Sequence, residues 1–279
     1  MQKKYSRVYV EITNACNRSC SFCPGTKRKL RLMSTDEFSA VCDKLKPVTD
    51  YIYLHVMGEP LSHPDIDRLI AIASERGFKV AITTNGTLLP KVGDRILATD
   101  IYKVNISLHS FEDGSPEYHA DYVSSCLDFA DRASERGILT TLRLWNRGCD
   151  DERNARVMEL LHEKFPGDWA MGVRGARIHH RLHLEEGERF DWPDMSAPDL
   201  GDQVFCHGLG DHFGVLSDGT VIPCCLDREG AISLGNIFES DIAEILSTER
   251  AERMRLGFAR KRASEELCRR CGYARRFKI

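Results

Sequence analysis

The sequence predicts an α/β protein: a partial (β/α)6 barrel followed by a small cysteine-rich module made of a β-hairpin and helices. Three observations predict this architecture. Short apolar segments alternate with amphipathic helical segments through residues 8–179, which is typical of parallel βα units. The sequence Ala-Ser-Glu-Arg-Gly occurs at residues 73–77 and again at 133–137, each time between a helix and a strand. A group of cysteines after residue 205 predicts the separate module.

The barrel elements follow from periodicity and from terminal signals. Strands are predicted at residues 8–12, 51–56, 79–83, 103–107, 139–144 and 172–179. The first helix opens with a capping box formed by Ser34 and Glu37. Gly77 and Gly137 suit left-handed helix ends before the third and fifth strands. In the module, the Asp-Gly pair at 218–219 predicts the turn of the hairpin.

Composition limits the class of protein. The chain has 279 residues, 42% hydrophobic and 29% charged, which is typical of a globular protein. No apolar segment is long enough to span a membrane, and the N-terminus has no signal-peptide core. Eleven cysteines then favour metal ligation over disulfides, so we expect a cytoplasmic protein. The net charge of −3 indicates no general affinity for nucleic acids.

Three cysteines lie in one loop directly after the first strand: Cys16, Cys20 and Cys23 in residues 16–23, called the cysteine loop below. Three gathered thiolates suit an iron–sulfur cluster or a zinc ion. Structural zinc normally takes four ligands, and the loop holds no fourth cysteine or histidine. The spacing therefore favours a [4Fe–4S] cluster in which one iron stays open to another ligand.

With Phe22 before the last cysteine, this motif resembles that of the radical S-adenosylmethionine (SAM) enzymes. The resemblance implies that the open iron binds the amino and carboxylate groups of SAM. One electron from the cluster then cleaves SAM to a 5′-deoxyadenosyl radical. The resemblance also implies that the backbone at Phe22 contacts the adenine. The competing interpretation is a non-catalytic iron–sulfur or zinc-binding protein.

Further motifs follow the predicted strands, where βα barrels carry their reactive groups. A Gly-Glu-Pro sequence that begins at Gly58 follows the second strand, with Met57 where the family usually has another glycine. The resemblance implies that the amide of Gly58 and the side chain of Glu59 contact the amino group of SAM. Asn85 and Ser107 occupy positions at which family members contact the ribose and the carboxylate.

Two further residues are candidates without an assigned catalytic role. His109 follows the fourth strand and is a candidate for a contact with the ribose or for proton transfer with the substrate. Arg143 lies on the fifth strand, from which it could reach SAM or an anionic or polyhydroxylated substrate. The alternative for Arg143 is an ion pair with an acid of the barrel. The sequence does not identify the catalytic acid or base.

A second set of cysteines, Cys206, Cys224, Cys268 and Cys271, includes a CxxC knuckle that could bind zinc or a second cluster. The spacing resembles the auxiliary-cluster module called SPASM. It is closer to the shortened, Twitch-like version with one cluster, as in 2-deoxy-scyllo-inosamine dehydrogenase. The resemblance implies an auxiliary [4Fe–4S] cluster, with zinc as the less favoured alternative. Cys225 is either a ligand in place of Cys224 or none.

The predicted domains are the barrel at residues 1–184, an acidic linker at 185–205 and the auxiliary module at 206–279. The C-terminal residues 250–279 contain eleven basic and three acidic residues. Two interpretations of this basic segment are favoured over contact with RNA phosphates, because no aromatic-rich RNA-binding module accompanies it. Its charge is balanced by the acidic linker, or it docks an acidic reductant such as flavodoxin or ferredoxin.

The predicted activity is hydrogen-atom abstraction from a small polar metabolite by a radical SAM enzyme. The outcome would be net oxidation (dehydrogenation) or radical fragmentation, as in a lyase that cleaves a modified nucleobase such as queuine. A peptide-modifying SPASM maturase is the alternative enzyme class. The expected partners are a small-molecule substrate and a protein reductant, with neither a membrane nor a nucleic acid.

Overall fold

One mixed β-sheet runs through the computed structural model, which describes residues 5–111 and 116–277. Its strands are, in chain order, β1 (Arg7–Val10), β2 (Tyr51–Tyr53), β3 (Lys79–Thr84), β4 (Lys103–Ser107), β5 (Leu139–Arg147), β6 (Ala170–Gly172), β7 (Gly175–His179), β8 (Leu182–Glu188), β9 (His212–Val215), β10 (Thr220–Ile222) and β11 (Gly235–Asn236). Residues 1–4 and 112–115 of the predicted barrel and residues 278–279 of the predicted module lie outside the described residues.

The helices alternate with the barrel strands and then follow the hairpin of the module. They are α1 (Thr35–Leu45), α2 (Ile66–Glu75), α3 (Leu89–Leu97), α4 (Pro116–Glu135), α5 (Asp151–Lys164), α6 (Ile242–Leu246), α7 (Glu249–Ala259) and α8 (Glu266–Arg269). The predicted capping box is present at the start of α1, where Ser34 and Glu37 bond each other's backbone. In the described parts of the chain, no helix has both the length and the apolar character needed to cross a membrane.

The sheet order is β11-β10-β9-β1-β2-β3-β4-β5-β8-β7-β6. Six consecutive strands of this order, from β1 through β5 to β8, are parallel to their neighbours. The predicted partial (β/α)6 barrel is therefore confirmed. One face of these strands packs against the helices and is apolar: Val8, Ile52, Val80 and Val104 are all 0% exposed. The alternate residues face the inner side of the barrel.

The prediction that residues 172–179 form the sixth barrel strand is wrong, although residues 175–179 do form a strand, β7. β6 and β7 form an antiparallel hairpin there, and β8 is the strand that pairs in parallel with β5. In β8 the buried Leu182 and Leu184 alternate with polar residues that include Glu185. Those acids made the sequence look like a linker, although residues 185–188 belong to the sheet. The rest of the predicted linker and the domain boundaries stay predictions.

The hairpin of the auxiliary module joins the barrel sheet directly. β9 pairs in parallel with β1 from Arg7 to Val10, and β10 pairs in antiparallel fashion with β9. The predicted hairpin is thus present, with Gly219 at its turn in a left-handed conformation (φ +87°). Because β1 and β9 are joined by backbone hydrogen bonds, the module extends the barrel sheet beside β1, the strand that precedes the cysteine loop.

A buried carboxylate fixes the loops at this edge. Glu11, directly after β1, is 0% exposed. It accepts hydrogen bonds from Arg28 Nη2 (2.7 Å) and from the backbone nitrogen of Met57 (3.2 Å). It also accepts from the backbone nitrogen (3.2 Å) and hydroxyl (3.0 Å) of Ser217. One side chain therefore joins the segment after the cysteine loop, the loop after β2 and the hairpin of the module.

The Glu11→Gln variant tests this arrangement. We expect it to lower the free energy of unfolding by about 3 kcal/mol, because it removes the charge that compensates the largely buried Arg28. Glu159→Gln, which removes an exposed ion pair with Arg156, is the matched control and should cost less than about 1 kcal/mol. Denaturant unfolding measures both, and equal effects would show that Glu11 does not have this role.

Candidate active site

The cysteine loop is closed at its base by Asn14. The Asn14 Nδ2 donates to Lys29 O (3.0 Å), and its Oδ1 accepts from the backbone nitrogen of Arg31 (2.8 Å). A β-bridge between Thr13 and Leu32 lies beside these bonds. The chain segments before and after the loop are therefore held together, which presents the three cysteines on one closed loop.

The three cysteines of the loop are in the thiol form and are at least partly exposed to solvent. The thiol of Cys20 donates to Ser110 O (3.2 Å), and the backbone nitrogen of Cys23 donates to Cys20 O (3.0 Å). Desolvation raises the pKa of Cys16, while hydrogen bonds from the backbone of Arg18 and from the Asn85 side chain oppose the shift. Three accessible thiols on a closed loop form a donor set that fits a thiolate-ligated cluster. Their role as ligands stays a prediction.

Gly58 packs against the backbone of residues 13–15, which connect β1 to the cysteine loop. It has φ +79°, and a Cβ atom there would lie 2.5 Å from Thr13 O and 2.8 Å from Ala15 O. The next residue, Glu59, donates its backbone N–H to the same Ala15 O (2.8 Å). Only glycine fits this contact, because any side chain would collide with backbone atoms and strain the turn.

The side chain of Glu59 points into the protein. It is 1% exposed and accepts hydrogen bonds from Leu61 N (3.0 Å), Thr84 Oγ1 (2.7 Å) and Asn85 N (2.7 Å). Burial raises its pKa to about 7, against the opposing effect of these bonds. The carboxylate thus holds the loop after β3 in position. Its predicted contact with the amino group of SAM stays a prediction.

Asn85 connects the loop after β3 to the cysteine loop. Its Nδ2 donates to Asn17 Oδ1 (2.9 Å) and lies 3.9 Å from Cys16 Sγ. Tyr122 donates its hydroxyl to Asn85 O (2.7 Å). Ser107, at the end of β4, is in register with Arg143 on β5. The structure therefore brings the candidates of three strand ends to the same edge of the sheet as the cysteines.

Phe22, within the cysteine loop, packs its ring against residues that follow β4 and β8. The rings of Phe22 and His109 are 5.2 Å apart, and His109 Nδ1 lies 3.0 Å from Arg143 O. The guanidinium of Arg189 lies 5.1 Å from the Phe22 ring centroid. Sequence reasoning missed Arg189, which carries no motif and follows β8 by one residue.

Arg143 forms the ion pair that the sequence left as an alternative. Its Nε lies 3.2 Å from Glu185 Oε2, and its guanidinium lies over the ring of Trp145 (4.8 Å). Glu185 comes from β8, so the pair joins the last two parallel strands of the barrel. Both side chains stand on the inner face, where they can also meet a polar ligand.

The inner face of the barrel combines aromatic and polar groups. The ring of Tyr9 lies 5.5 Å from that of Tyr53 and 5.4 Å from that of His55. Desolvation and then the charge of Arg143 lower the pKa of His55 to about 3, so its imidazole is neutral near pH 7. Desolvation likewise lowers the pKa of Lys103. This face suits a small polar molecule better than an apolar one.

The four cysteines of the second set line one cavity: Cys206, Cys224, Cys268 and Cys271. Burial raises the pKa of Cys206 to about 11. Burial, with repulsion from the neighbouring thiols, raises the pKa of Cys224 and Cys268. The thiols therefore stay protonated until a cation displaces their protons, which fits a metal site.

Cys225 does not line this cavity. It packs instead with Tyr9, Cys23 and Trp192 against a buried apolar cluster of Val56, Met57, Leu216 and Ile222. Of the two adjacent cysteines, Cys224 is therefore the one that faces the other three thiols. Met57, which replaces the usual glycine of the motif, belongs to the same apolar cluster.

The basic C-terminal segment is paired with the acidic segment before the module. Arg262 lies 2.5 Å from Asp202, and Arg269 lies 2.8 Å from Asp199. Arg275 donates to the carbonyl of Gln203 (2.7 Å). These contacts support the interpretation that the two segments balance each other's charge, rather than the one in which the basic segment docks a reductant.

Comparison with protein families identifies the barrel. The family model described as the radical SAM superfamily matches residues 10–186. This chain belongs to the radical SAM superfamily. A second family model, an iron–sulfur cluster-binding domain called SPASM, matches residues 206–272. Enzymes of this superfamily bind a [4Fe–4S] cluster and SAM, and the SPASM domain binds auxiliary iron–sulfur clusters. The predicted cofactors are thereby confirmed.

Curated relatives match parts of this radical SAM chain. Fe-coproporphyrin III synthase of Methanosarcina barkeri is 32% identical over 192 residues, which cover 64% of this chain and 48% of that protein. AdoMet-dependent heme synthase of the same organism is 28% identical over 102 residues, covering 35% and 29%. A probable GTP 3′,8-cyclase of Sulfolobus acidocaldarius is 33% identical over 106 residues, covering 37% and 34%. The matched segments thus span less than half of these relatives.

Solved structures match nearly the whole chain in fold. BtrN in complex with AdoMet and 2-DOIA has a TM-score of 0.63 at 19% identity, covering 97% of this chain and 94% of BtrN. anSMEcpe with bound AdoMet has a TM-score of 0.63 at 15% identity, covering 91% and 83%. SuiB of Streptococcus suis bound to S-adenosylmethionine has a TM-score of 0.62 at 16% identity, covering 96% and 71%. At these identities the similarity establishes the fold.

The Gly58→Ala variant tests the packing of the cysteine loop. We expect a loss of more than about 2 kcal/mol of stability, because the new Cβ meets two backbone oxygens at positive φ. Iron retained after reconstitution should fall in parallel. Gly25→Ala is the matched control: it also has positive φ (+60°) but no atom within 4 Å of the added Cβ, so about 1 kcal/mol is expected. Equal losses would contradict the packing argument.

The His55→Gln variant tests the interior of the barrel through pH. Since the pKa of His55 is about 3 in the folded chain and about 6.5 when unfolded, the unfolded state binds more protons between these values. The free energy of unfolding therefore does not depend on the protonation of His55 above pH ~6.5 and decreases as the pH falls below this value. At pH ~5.5 the decrease due to His55 is about 1.4 kcal/mol. The variant should lack this part of the pH dependence in unfolding experiments. The control His180→Gln, which removes an exposed imidazole, should retain it because His55 is intact; identical pH profiles for both variants would contradict the assignment.

Proposed function

We propose that this radical SAM enzyme abstracts a hydrogen atom from a small polar metabolite and completes a net two-electron oxidation. Such an oxidation removes one hydrogen atom, one proton and one electron from the substrate. The bound [4Fe–4S] cluster and SAM supply the radical that takes the hydrogen atom. The residues of the second cysteine set would hold the acceptor of the remaining electron.

The observation that carries this proposal is the apolar cluster between the two cysteine sets. Val56, Met57, Leu216 and Ile222 are each at most 8% exposed. Cys23 of the cysteine loop and Cys225, the neighbour of a cavity-lining cysteine, pack against the same cluster. Apolar side chains therefore pack between the cysteine loop and the neighbour of Cys224, which supports a dry environment for electron transfer to the second set.

The inner face of the barrel supports a polar substrate. The pair of Arg143 and Glu185 offers a cation and an anion there. His55 Nδ1 is buried and has no hydrogen-bond partner among the described residues. A neutral imidazole with an unused ring nitrogen can bond a hydroxyl or amino group of a substrate. The Twitch-like spacing, which resembles that of an aminocyclitol dehydrogenase, and the fold similarity to BtrN favour oxidation.

Fewer observations support the alternative reactions and functions. The auxiliary cluster could close the cavity without accepting an electron, in which case the substrate radical fragments, as in a lyase. No residue described above recognises a nucleobase such as queuine. Peptide modification is favoured by the fold similarity to SuiB bound to the precursor peptide SuiA (TM-score 0.56) and to anSMEcpe with bound AdoMet and Cp18Cys peptide (TM-score 0.62). A non-catalytic protein would not need Gly58, Glu59 and Asn85 arranged around the cysteine loop.

The test is anaerobic reconstitution followed by SAM and dithionite. The parent protein should hold about eight iron atoms and release 5′-deoxyadenosine. Cys20→Ala should abolish that release, whereas Cys149→Ala, at an exposed cysteine outside both sets, should retain it. Cys206→Ala should lower the iron content to about four and keep 5′-deoxyadenosine, but lose the oxidised product.

Screening of polar metabolites against peptides, with SAM consumption as the readout, then separates the two substrate classes. Absence of 5′-deoxyadenosine from fully loaded parent protein would overturn the proposed function. Iron near four together with one zinc would overturn the role of the second site as electron acceptor.

A further inference from the structure

We propose that residues 26–32, called the basic strap below, form the docking site for an acidic electron-transfer protein that reduces the catalytic cluster. This proposal rests on the proposed function, because only a radical SAM reaction needs that electron. The C-terminal segment is the less suitable docking site, because Asp199 and Asp202 neutralise its arginines. The basic strap lies instead beside the cysteine loop.

The basic strap presents exposed charge around exposed apolar side chains. Leu30 is 69% exposed and Leu32 is 47% exposed. Lys27 and Lys29 are exposed between them and the cysteine loop, and neither ammonium group pairs with any residue that the structure describes. An apolar centre with a charged rim is the usual composition of a protein–protein contact.

The other two cations of the strap, Arg28 and Arg31, form hydrogen bonds and ion pairs with other residues of the chain. Arg28 donates to the buried Glu11 and, through Nε, to Arg228 O (2.7 Å). Arg31 pairs with Glu37 (2.5 Å). These contacts anchor the strap, so that Lys27 and Lys29 are presented on a fixed backbone, and a partner would order few additional residues on binding.

The strap is adjacent to both ends of the cysteine loop. Asn14, two residues before Cys16, bonds the backbone of Lys29 and of Arg31. At the other end, only Pro24 and Gly25 separate Cys23 from the strap. A protein bound to the strap would therefore stand next to the cysteine loop without entering the barrel.

The positive charge of the basic strap favours an acidic electron-transfer protein as its partner. The chain has a net charge of −3, so an acidic donor gains no attraction from the molecule as a whole. Lys27 and Lys29 beside the cysteine loop supply local attraction, which raises the association rate and fixes the orientation. The occupant to which we commit is a small electron carrier with acidic groups around its redox centre, and flavodoxin is the probe.

The test compares Lys27→Glu/Lys29→Glu with a matched control, Arg68→Glu/Lys91→Glu, which makes the same charge change at exposed positions of α2 and α3. Binding of oxidised flavodoxin to the oxidised, reconstituted protein is measured by calorimetry. Reduction of the clusters by reduced flavodoxin is followed by absorbance. At low ionic strength the strap variant should lose about tenfold in affinity and in reduction rate, and the control less than about twofold.

Salt and apolar substitutions complete the test. Raising the ionic strength should weaken binding of the parent protein and narrow its difference from the strap variant. Leu30→Ser/Leu32→Ser should weaken binding with the salt dependence unchanged. An unchanged affinity in the strap variant, or equal losses in the strap and control variants, would overturn the proposal.

Dithionite separates this proposal from the proposed function. It should reduce the parent protein and the strap variant at the same rate and give the same amount of 5′-deoxyadenosine. If dithionite gives 5′-deoxyadenosine but flavodoxin binds both proteins equally, the docking site is wrong and the proposed function stands. If dithionite gives none with the parent protein, the proposed function is wrong, and the binding data alone decide the docking site.

Discussion

The buried carboxylate of Glu11 is the constraint on which the arrangement of the two cysteine sets depends. A fully enclosed charge is stable only when hydrogen bonds and a counter-charge compensate it. Its partners come from three places far apart in sequence: Arg28, Met57 and Ser217. Satisfying one side chain therefore fixes the segment after the cysteine loop, the loop after β2 and the hairpin of the auxiliary module at the same time.

This constraint acts together with the sheet. Because β9 pairs with β1, the hairpin that leads to Cys224 begins beside the strand that leads to the cysteine loop. The apolar cluster between them includes Met57, at a position where the family usually has glycine. A side chain at this position fills space between barrel and module. The two sites are thus joined by packed protein, which a flexible linker between separate domains would not provide.

The cysteine loop and the loops beside it contribute to the site through different physical properties. Gly58 contributes close backbone approach, Glu59 contributes a buried acceptor that holds Asn85, and Phe22 contributes a ring on which Arg189 and His109 pack. None of these properties depends on the identity of the substrate. In the proposed function the substrate instead meets the inner face of the barrel, where polar and aromatic side chains alternate with the apolar residues that face the helices.

The sequence by itself determined the features that depend on local chemistry. The cysteine spacing, the capping box at Ser34 and the alternation of strands and helices are patterns of neighbouring residues, and they sufficed for the family, the fold class and the cofactors. Tertiary structure decided which strand follows β5, that Arg143 pairs with Glu185, that Arg189 covers Phe22, and that the acidic and basic segments neutralise each other. These features join residues distant in the chain, and parallel pairing and ion-pair choice depend on contacts that no local pattern records.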